Sequence, residues 1–369
     1  MRTADVVVIG GGLHGCSTAL HLALRGLKPI LVEKDYAGRH ASGVNAGGVR
    51  QLARDLAEIP LSISSMELWE HIEELVGDDC GFTSYGTVLV AETETELASF
   101  RARVDDLRLR GFTHEELIGR DELKRLVPAV ADHCPGGVVS RRDGAADPFR
   151  TTQAFRKRAI EKGAEVLEGV TVTGLARVGA NWRVETTAGP IEAPKVVNAA
   201  GAWADRIAAM LGEPVPLTVV APMLMVTSRL AAFIQPVVIL RGRKLSFKQL
   251  DNGTVVIGGG HLAASDRDRN ETVIDWSKLA LSAATVWELF PLMRQATIVR
   301  AWAGIEAYMP DGIPVVGPSS TSEGVFHQFG FSTHGFQLGP GTGAVMAELV
   351  ATGATNTPID GLGIERFRR

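Results

Sequence analysis

The chain has 369 residues, of which 45% are apolar and 22% are charged, and its formal net charge is −4. This composition excludes disordered and low-complexity proteins, and the small negative charge excludes a basic surface that would recruit nucleic acid. The length favours two domains, or one elaborated domain, with a large apolar core.

The first 35 residues predict a dinucleotide-binding unit. Val6–Ile9 is a β-branched run typical of a strand buried in a parallel sheet, and the turn after it carries Gly10, Gly12 and Gly15. Glycines with this spacing permit a tight turn, a close approach of backbone to a pyrophosphate, and close packing of the following helix. A second apolar run ends at Glu33, whose carboxylate suits a ribose diol. The motif predicts NAD or FAD binding without choosing between them.

The next segments predict a loop followed by a second, sheet-based domain. Residues 41–50 are too polar and glycine-rich for a strand, and residues 61–76 have the apolar spacing of a helix. Strands are predicted at 87–91, 223–227 and 237–240, and a surface helix at 94–110. Asp251, Asn252 and Gly253 form a hairpin turn between two apolar runs, so we expect an antiparallel sheet here.

Two small-residue segments lie in the C-terminal half. Residues 196–204 predict a buried strand that enters a turn and a helix, and residues 329–343 predict a glycine-rich helix start at Gly341 and Gly343. A helix N-terminus presents free N–H groups and the positive end of the helix dipole. Because a long cofactor would use this second helix start at its far end, the pattern favours FAD. A nicotinamide nucleotide would leave the segment without a purpose.

These motifs resemble those of the D-amino-acid oxidase, glycine oxidase and sarcosine oxidase family of flavoenzymes. They are GxGxxG with Glu33, SGxNAGG at 42–48, NAAGAW at 198–203 and HGFxLGPGTG at 334–343, in family order along essentially the whole chain. Within the family the chain is most similar to the β subunits of D-hydroxyproline dehydrogenases. The resemblance implies a mixed α/β fold, with a Rossmann-type FAD-binding domain and an inserted antiparallel-sheet substrate domain. We expect the first domain at 1–80, 138–213 and 305–369, and the second at 81–137 and 214–304.

The resemblance also implies the cofactor and the residues that hold it. Monomeric sarcosine oxidase attaches its flavin through a cysteine, and Gly304 stands at that position here, so we expect non-covalent FAD. The residues expected to contact the cofactor are Gly10, Gly12, Leu13, His14, Gly15, Glu33, Lys34, Ser42, Gly43, Asn45, Ala46, Gly47, Gly48, Val172, Ala200, Gly201, Trp203, Gly335, Phe336, Gln337 and Leu338.

Three residues are candidates for the reaction itself. The guanidinium of Arg50 offers a planar fork that matches a carboxylate, although an arginine here can also lie at the surface or near the phosphates. His334 belongs to the turn that borders the flavin in sarcosine oxidases, where it orients substrate, tunes the ring or holds the turn. Gln337 stands where sarcosine oxidases place a carboxylate-binding lysine; it keeps donors but loses the charge.

Departures from the family pattern bear on substrate and electron acceptor. Glu306 replaces the carboxylate-binding arginine of glycine oxidase; we expect a solvated acid, with recognition of a cationic or hydroxylated substrate group as the alternative. Val256 stands roughly where sarcosine oxidase has an oxygen-activating lysine, which favours a dehydrogenase. The three cysteines have no iron–sulfur spacing, so by analogy with the β subunits the electrons pass to a partner subunit that carries flavin or iron–sulfur centres.

The expected function is oxidation of the C–N bond of a secondary or cyclic amino acid such as D-hydroxyproline, by hydride transfer to flavin N5. The alternatives are sarcosine, glycine or an opine as substrate, an electron-relay subunit without a substrate site, and an NAD-dependent dehydrogenase. The nine histidines include no HExxH motif, so no catalytic metal is expected. No apolar run approaches the ~18 residues of a membrane span, so we expect a cytoplasmic protein.

Overall fold

The computed structural model describes residues 2–368, and its first layer is a six-stranded sheet. The central strand Val6–Ile9 is fully buried, as its β-branched residues predict, and pairs in parallel with Lys195–Asn198 and Pro29–Glu33. The edge strand Val315–Pro318 runs antiparallel. In spatial order the strands are Val315–Pro318, Val325–Phe329, Lys195–Asn198, Val6–Ile9, Pro29–Glu33 and Glu165–Glu168.

Helices and a smaller sheet cover the two faces of this layer. Helix Leu13–Leu24 packs against Gly335–Thr352 and Pro148–Glu161, and helix Ile59–Glu70 packs on Gly335–Thr352. The opposite face buries Val7, Ile30 and Val32 against a four-stranded sheet. That sheet contains, in spatial order, Arg2–Thr3, Ile191–Ala193, Asn181–Thr186 and Val172–Val178.

The second large layer is an eight-stranded sheet. The predicted hairpin is confirmed, because Ser246–Gln249 pairs antiparallel with Val255–Gly258. The sheet is antiparallel as expected except at one pair, because Val237–Leu240 pairs in parallel with Thr87–Ala91. In spatial order the strands are Ile298–Ala303, Met223–Thr227, Val255–Gly258, Ser246–Gln249, Val237–Leu240, Thr87–Ala91, Gly136–Ser140 and Glu116–Gly119.

The remaining elements are helices and short strand pairs. The helix predicted over 61–76 is interrupted at His71, which separates Ile59–Glu70 from Ile72–Val76. In residues 2–368 no helix has the length and apolar character needed to cross a membrane. Other helices are Ala41–Val44, Glu94–Leu109, Arg120–Leu126, Ala204–Met210, Trp276–Leu289 and the short 3-10 turns Gly201–Trp203, Pro291–Gln295 and Ile364–Phe367. The two-stranded pairs are Thr218–Val220 with Glu306–Tyr308, Ala264–Asp266 with Glu271–Val273, and Gly48–Val49 with Gly144–Ala145.

One predicted domain boundary needs correction. The division between residues 137 and 138 falls inside strand Gly136–Ser140, which pairs along its whole length with Thr87–Ala91 of the eight-stranded sheet. A strand cannot change layers in its middle while it keeps this register, so the chain returns to the first layer after Ser140. The other predicted boundaries remain predictions.

Candidate active site

A cavity of about 1000 Å³ lies between the six-stranded and eight-stranded sheets. One end is lined by Gly10 and Glu33, which stand at the carboxyl ends of neighbouring parallel strands. The other end is lined by residues from the eight-stranded sheet and from the segment just before helix Gly335–Thr352. Ligands of open parallel sheets bind at the carboxyl ends of the strands, so this is the expected place for a dinucleotide.

The glycine turn at the first end has room for backbone alone. A Cβ on Gly10 would lie 2.4 Å from the Ala199 carbonyl oxygen, and one on Gly15 would lie 1.9 Å from the Gly10 oxygen. Gly10 also has a φ of +112°, which side-chain-bearing residues rarely adopt. Helix Leu13–Leu24 therefore begins against the strand with its N-terminus at the cavity, where Gly12 supplies no side-chain cap.

Glu33 and Lys34 form the wall beside this turn. The Glu33 carboxylate accepts hydrogen bonds from the backbone N–H of Gly11 at 2.6 Å and of Asp35 at 2.8 Å. Burial raises the pKa of Glu33, and the two backbone donors oppose that shift. The Lys34 ammonium lies 4.0 Å above the ring of Trp203, so a cation and an aromatic face meet at the cavity rim.

Most of the predicted cofactor residues line the cavity. They are Gly10, Gly12, Leu13, His14, Glu33, Lys34, Ser42, Asn45, Ala46, Gly48, Val172, Ala200, Gly201, Trp203, Gly335 and Phe336. Gly15, Gly43, Gly47, Gln337 and Leu338 are not among the residues that line it, and their expected contacts with the cofactor stay predictions. A Cβ on Gly43 would clash with the Gly38 carbonyl, and Leu338 is fully buried in the core.

The second helix start differs from the prediction. The C-terminal helix begins at Gly335, which lines the cavity, and Gly341 and Gly343 lie inside the helix. A Cβ on Gly341 would lie 2.6 Å from Ser65 Cβ, and one on Gly343 would lie 2.1 Å from Ser17 Oγ. These glycines therefore permit close packing of three helices. The helix end that faces the cavity is formed by Gly335 and Phe336.

Arg50 reaches the second end of the cavity, but its guanidinium is engaged. It donates a hydrogen bond to the Leu52 carbonyl oxygen and lies among the carboxylates of Asp143, Glu58 and Glu115. Burial lowers the pKa of Arg50, and these three carboxylates oppose the shift. The predicted carboxylate anchor is thus at the site, with part of its donor capacity already used.

Arg54 is a functional candidate that the sequence analysis missed. Its side chain is 2% exposed and lines the cavity, and one of its nitrogens donates to the Arg50 carbonyl oxygen at 2.6 Å. Its Nε and Nη1 atoms have no hydrogen-bond partner within residues 2–368. Burial lowers the pKa of Arg54 to about 9. The available signal was the second arginine four residues after Arg50.

His334 lies between this arginine and the helix start. Its Nδ1 is 2.9 Å from the Ser332 carbonyl oxygen, and its Nε2 is 2.6 Å from Glu58 Oε1. A carbonyl can only accept, so Nδ1 carries a proton. Burial and the positive charge of Arg54 lower the pKa of His334, while Glu58 opposes them. The ring is held in one orientation at the cavity wall.

Gln337 does not reach the cavity, and its predicted catalytic role is corrected. Its side chain is fully buried, its Oε1 accepts from Ser62 Oγ at 3.0 Å, and its Nε2 donates to the Ser62 carbonyl oxygen at 2.8 Å. Ser65 and Trp69 donate to its main-chain oxygen. The residue joins two helices.

Glu306, which we expected to be a solvated acid, is partly exposed and lies in the wall of the cavity. It lines the cavity with Tyr308, and its Oε1 accepts a hydrogen bond from the Thr333 backbone N–H at 2.6 Å. Burial raises its pKa to about 7. Thr333 and the preceding Ser332 have φ values of +69° and +48°, an uncommon conformation that tends to mark functional segments.

Lys248 removes the argument drawn from Val256. The two residues are directly paired across the antiparallel hairpin, and directly paired residues have side chains on the same face of a sheet. Lys248 is 7% exposed, and its ammonium lies next to Gly47 of the loop that borders the cavity. A buried lysine is therefore available beside Val256, so the residue at 256 does not favour a dehydrogenase over an oxidase.

The residues at the first end fit an FAD. The glycine turn leaves space that a Cβ would fill, a helix N-terminus faces the cavity, and the cavity continues from Glu33 to Arg54 and Glu306. An adenine dinucleotide with a second aromatic ring system needs such a long groove. Within residues 2–368 no group of three or more His, Cys, Asp and Glu side chains is arranged to hold a metal ion. Fold and site together define a dinucleotide-dependent oxidoreductase.

Comparisons with known proteins identify the family. The profile described as FAD dependent oxidoreductase (DAO) matches residues 5–349, and the chain belongs to this family. FAD is accordingly its cofactor class. The crystal structure of L-proline dehydrogenase from P. horikoshii superposes with a TM-score of 0.93 and 29% identity, covering 99% of this chain and 98% of that one.

Two curated relatives span different lengths. Mitochondrial sarcosine dehydrogenase from Mus musculus is 28% identical over 385 residues, which are 99% of this chain and 41% of that protein. Sarcosine oxidase subunit beta from Rhizobium meliloti is 26% identical over 376 residues, or 99% of this chain and 88% of that subunit. The chain therefore spans about two fifths of the mitochondrial relative and most of the bacterial subunit.

Proposed function

We propose that this chain oxidises the C–N bond of an amino acid with FAD as cofactor. The observation that carries the proposal is Arg54, a buried arginine at the cavity wall, two of whose nitrogens have no hydrogen-bond partner among residues 2–368. Unsatisfied buried donors cost free energy, so such a group is retained where a ligand completes it. A planar guanidinium pairs best with a carboxylate, which every amino acid carries.

The residues of this chain supply binding and orientation. Arg54, with Arg50 beside it, holds the substrate carboxylate, and His334 is held by Ser332 and Glu58 as a fixed wall of the pocket. When bound, the flavin supplies the acceptor for a hydride that leaves the carbon next to nitrogen. Holding the substrate in one orientation is the main requirement on the protein, because the reaction needs the C–H bond aimed at the acceptor.

For the substrate we propose a secondary or cyclic amino acid such as D-hydroxyproline. The names of similar proteins support this class, since they refer to the secondary amino acids sarcosine and L-proline. Oxidation at the carbon next to nitrogen converts the C–N bond of such a compound into an imine, which hydrolyses or cyclises in water.

We further propose that the chain acts as one subunit of a larger dehydrogenase. Relatives matched over most of their length are named as subunits, namely sarcosine oxidase subunit beta and hydrogen cyanide synthase subunit HcnC. A partner that carries flavin or iron–sulfur centres would then receive the electrons.

The test is anaerobic reduction of the purified, FAD-loaded protein by a panel of D-hydroxyproline, L-proline, sarcosine, glycine and an opine. We expect loss of the flavin absorbance near ~450 nm with one or more secondary amino acids. D-Lactate serves as a control that has a carboxylate but no amine. If no amine in the panel reduces the flavin while dithionite does, the substrate role is wrong and an electron-relay subunit becomes the better explanation.

A further inference from the structure

Glu306 stands apart from the other carboxylates of the site. Glu58 is hydrogen-bonded to His334, and Asp143 accepts hydrogen bonds from two backbone N–H groups. The Glu306 carboxylate accepts a hydrogen bond from the Thr333 backbone N–H. No cation within residues 2–368 contributes to its ionisation. A carboxyl group in a cavity wall without a cationic partner is suited to receive one from a ligand.

The neighbours of Glu306 carry few titratable groups. Its strand Glu306–Tyr308 pairs with Thr218–Val220 and contacts the turn Gly201–Trp203, and neither of these segments has an ionisable side chain. Tyr308 lies on the same strand, and the Glu306 charge helps to raise the pKa of its phenol, after burial. On the adjoining 332–334 segment the ionisable residue is His334, whose two ring nitrogens are occupied by Ser332 and Glu58.

The backbone at 333–334 links Glu306 to the arginine end of the pocket. Thr333 donates its N–H to Glu306, and the next residue, His334, is within the electrostatic reach of Arg54. Arg54 and Glu306 both line the cavity. An amino acid carries a carboxylate and an ammonium on the same carbon, so its two charged groups are opposite in sign to these two residues.

We propose that Glu306 binds the ammonium group of the substrate and accepts its proton, so that the amine is neutral before it is oxidised. This inference rests on the proposed function and names the residue that prepares the amine. One N–H bond of the ammonium breaks, one O–H bond forms on the Glu306 carboxylate, and no electron is transferred in this step. The neutral nitrogen keeps the lone pair that must form the C=N bond when hydride leaves.

The pH at which this group titrates suits the task. Its pKa of about 7 allows an ionised Glu306 to accept a proton near neutral pH and lets the acid form persist in the complex. Because the ionised form is required, kcat/KM of the wild-type protein should rise with pH and level off above about 7.

The kinetic experiment compares the holoenzyme with Glu306→Gln and Glu306→Asp, using the amino acid that reduces the flavin best. Glu306→Gln should lower kcat/KM at pH 8 by about 100-fold or more. Its activity should recover as pH rises toward the pKa of the amine itself in water, because the free neutral amine then needs no acceptor. In Glu306→Asp, kcat/KM should still rise with pH near neutral pH. Glu323→Gln, an exposed change of the same kind, is the matched control.

A binding experiment gives a readout that does not depend on turnover. Pyrrole-2-carboxylate has the substrate carboxylate but a nitrogen that is not basic. Calorimetry on the FAD-loaded protein should show its affinity falling as pH rises through about 7 in the wild type, because the ionised Glu306 then faces a ligand without a cation. Affinity for the same ligand should be independent of pH over this range in Glu306→Gln.

The outcomes separate this inference from the proposed function. If amino acids reduce the flavin of wild type and Glu306→Gln equally, with the same pH profile, the role of Glu306 is wrong while the amino acid oxidoreductase stands. If no amino acid reduces the wild-type flavin, the proposed function fails first. A Glu306→Gln protein that is slow at every pH, without recovery at high pH, would indicate a structural role and would also overturn the inference.

Discussion

Arg54 and Arg50 differ in what they bond, and this difference assigns them different roles. Arg50 donates to the Leu52 carbonyl and is surrounded by three carboxylates, so its charge is balanced within the chain. Arg54 holds only the Arg50 carbonyl and leaves Nε and Nη1 unpaired in the described part of the chain. Glu58 and Asp143 also act electrostatically on Arg54. The two arginines therefore differ in hydrogen bonding, because Arg54 is a buried cation with donors that the described residues leave without a partner.

The variant Arg54→Met should raise KM for the amino acid by roughly 100-fold, equivalent to about 3 kcal/mol for a charged hydrogen bond, with little change in FAD content. Arg54→Lys should restore part of the affinity because it keeps the charge but loses the fork. Steady-state kinetics with the best substrate of the panel measures both. Arg50→Met is the matched comparison and should mainly lower stability, because it leaves buried Asp143 without its cation. A normal KM in Arg54→Met would remove Arg54 as the anchor.

Lys248 predicts a pH-dependent stability. Burial lowers its pKa to about 8, so below that pH the folded protein holds a buried ammonium at a cost of roughly 3 kcal/mol relative to the unfolded chain. Between pH 8 and the pKa of an unfolded lysine this cost declines, because the folded state has already lost the proton. Lys248→Met should therefore stabilise the FAD-loaded protein at pH 7, and the gain should disappear above about pH 10.

Urea unfolding of wild type and Lys248→Met at pH 7 and at pH 10 measures this difference. Lys278→Met, in which a largely exposed ammonium is removed, is the control and should show no comparable gain. Equal stability of Lys248→Met and wild type at pH 7 would show that another group compensates the ammonium. A loss of activity in the more stable variant would assign Lys248 to function.

At the level of elements, the C-terminal helix is positioned by close glycine contacts with its neighbouring helices. Gly343→Ala places a Cβ 2.1 Å from Ser17 Oγ and 2.7 Å from the Ser17 backbone carbon, so two helices must separate. We expect a loss of about 1–3 kcal/mol in unfolding free energy, with FAD still bound. Gly119→Ala, where an added Cβ meets nothing within 4 Å, should be close to neutral. Loss of FAD without loss of stability in Gly343→Ala would contradict the packing role.

This helix also illustrates how far sequence reasoning extends. The strand, glycine turn and helix at the N-terminus could be predicted because the apolar period, the glycines and Glu33 all lie within one short segment. The predicted start of the last helix lay too far along the chain, because glycine occurs both at helix ends and at close contacts between helices. Its true start at Gly335 depends on a turn with positive φ at Ser332 and Thr333, which no glycine marks.

The site residues divide in the same way. The residues predicted to contact the cofactor through backbone or small side chains could be identified from local motifs, and most of them line the cavity. Arg54 and Glu306 line the same cavity although they are far apart along the chain, and the Glu58–His334 contact joins their two regions. Spacing along the chain carries no information on such contacts, and Gln337 was misplaced for the same reason.

At the level of the whole molecule, the cavity is closed by parts of both layers. The strand pair Ala264–Asp266 and Glu271–Val273 lies, along the chain, between parts that form the first layer. The turn that joins the two strands contacts the first layer. Arg267 in the turn donates to both oxygens of Asp205 at 2.6 and 2.9 Å, and Trp203 Nε1 donates to the Arg267 carbonyl oxygen. Cofactor retention is therefore expected to depend on a contact outside the dinucleotide motif.

The variant Arg267→Ala should weaken FAD binding, because its guanidinium donates to the main-chain oxygen of Ala202, which lines the cavity, and to Asp205. The bond from Trp203 to the Arg267 carbonyl oxygen remains in this variant. Loss of this partly buried, bidentate pair is worth about 1 kcal/mol, which corresponds to a roughly fivefold rise in the FAD dissociation constant. Recovery of flavin fluorescence on dilution measures it. Arg269→Ala changes an exposed arginine on the same turn that pairs weakly with Asp266, and it should retain FAD as the wild type does. Equal FAD retention by both variants would mean that the first layer alone holds the cofactor. FAD binding that is more sensitive to salt in the wild type than in Arg267→Ala would support the Arg267 contact, because ionic strength weakens partly exposed ion pairs.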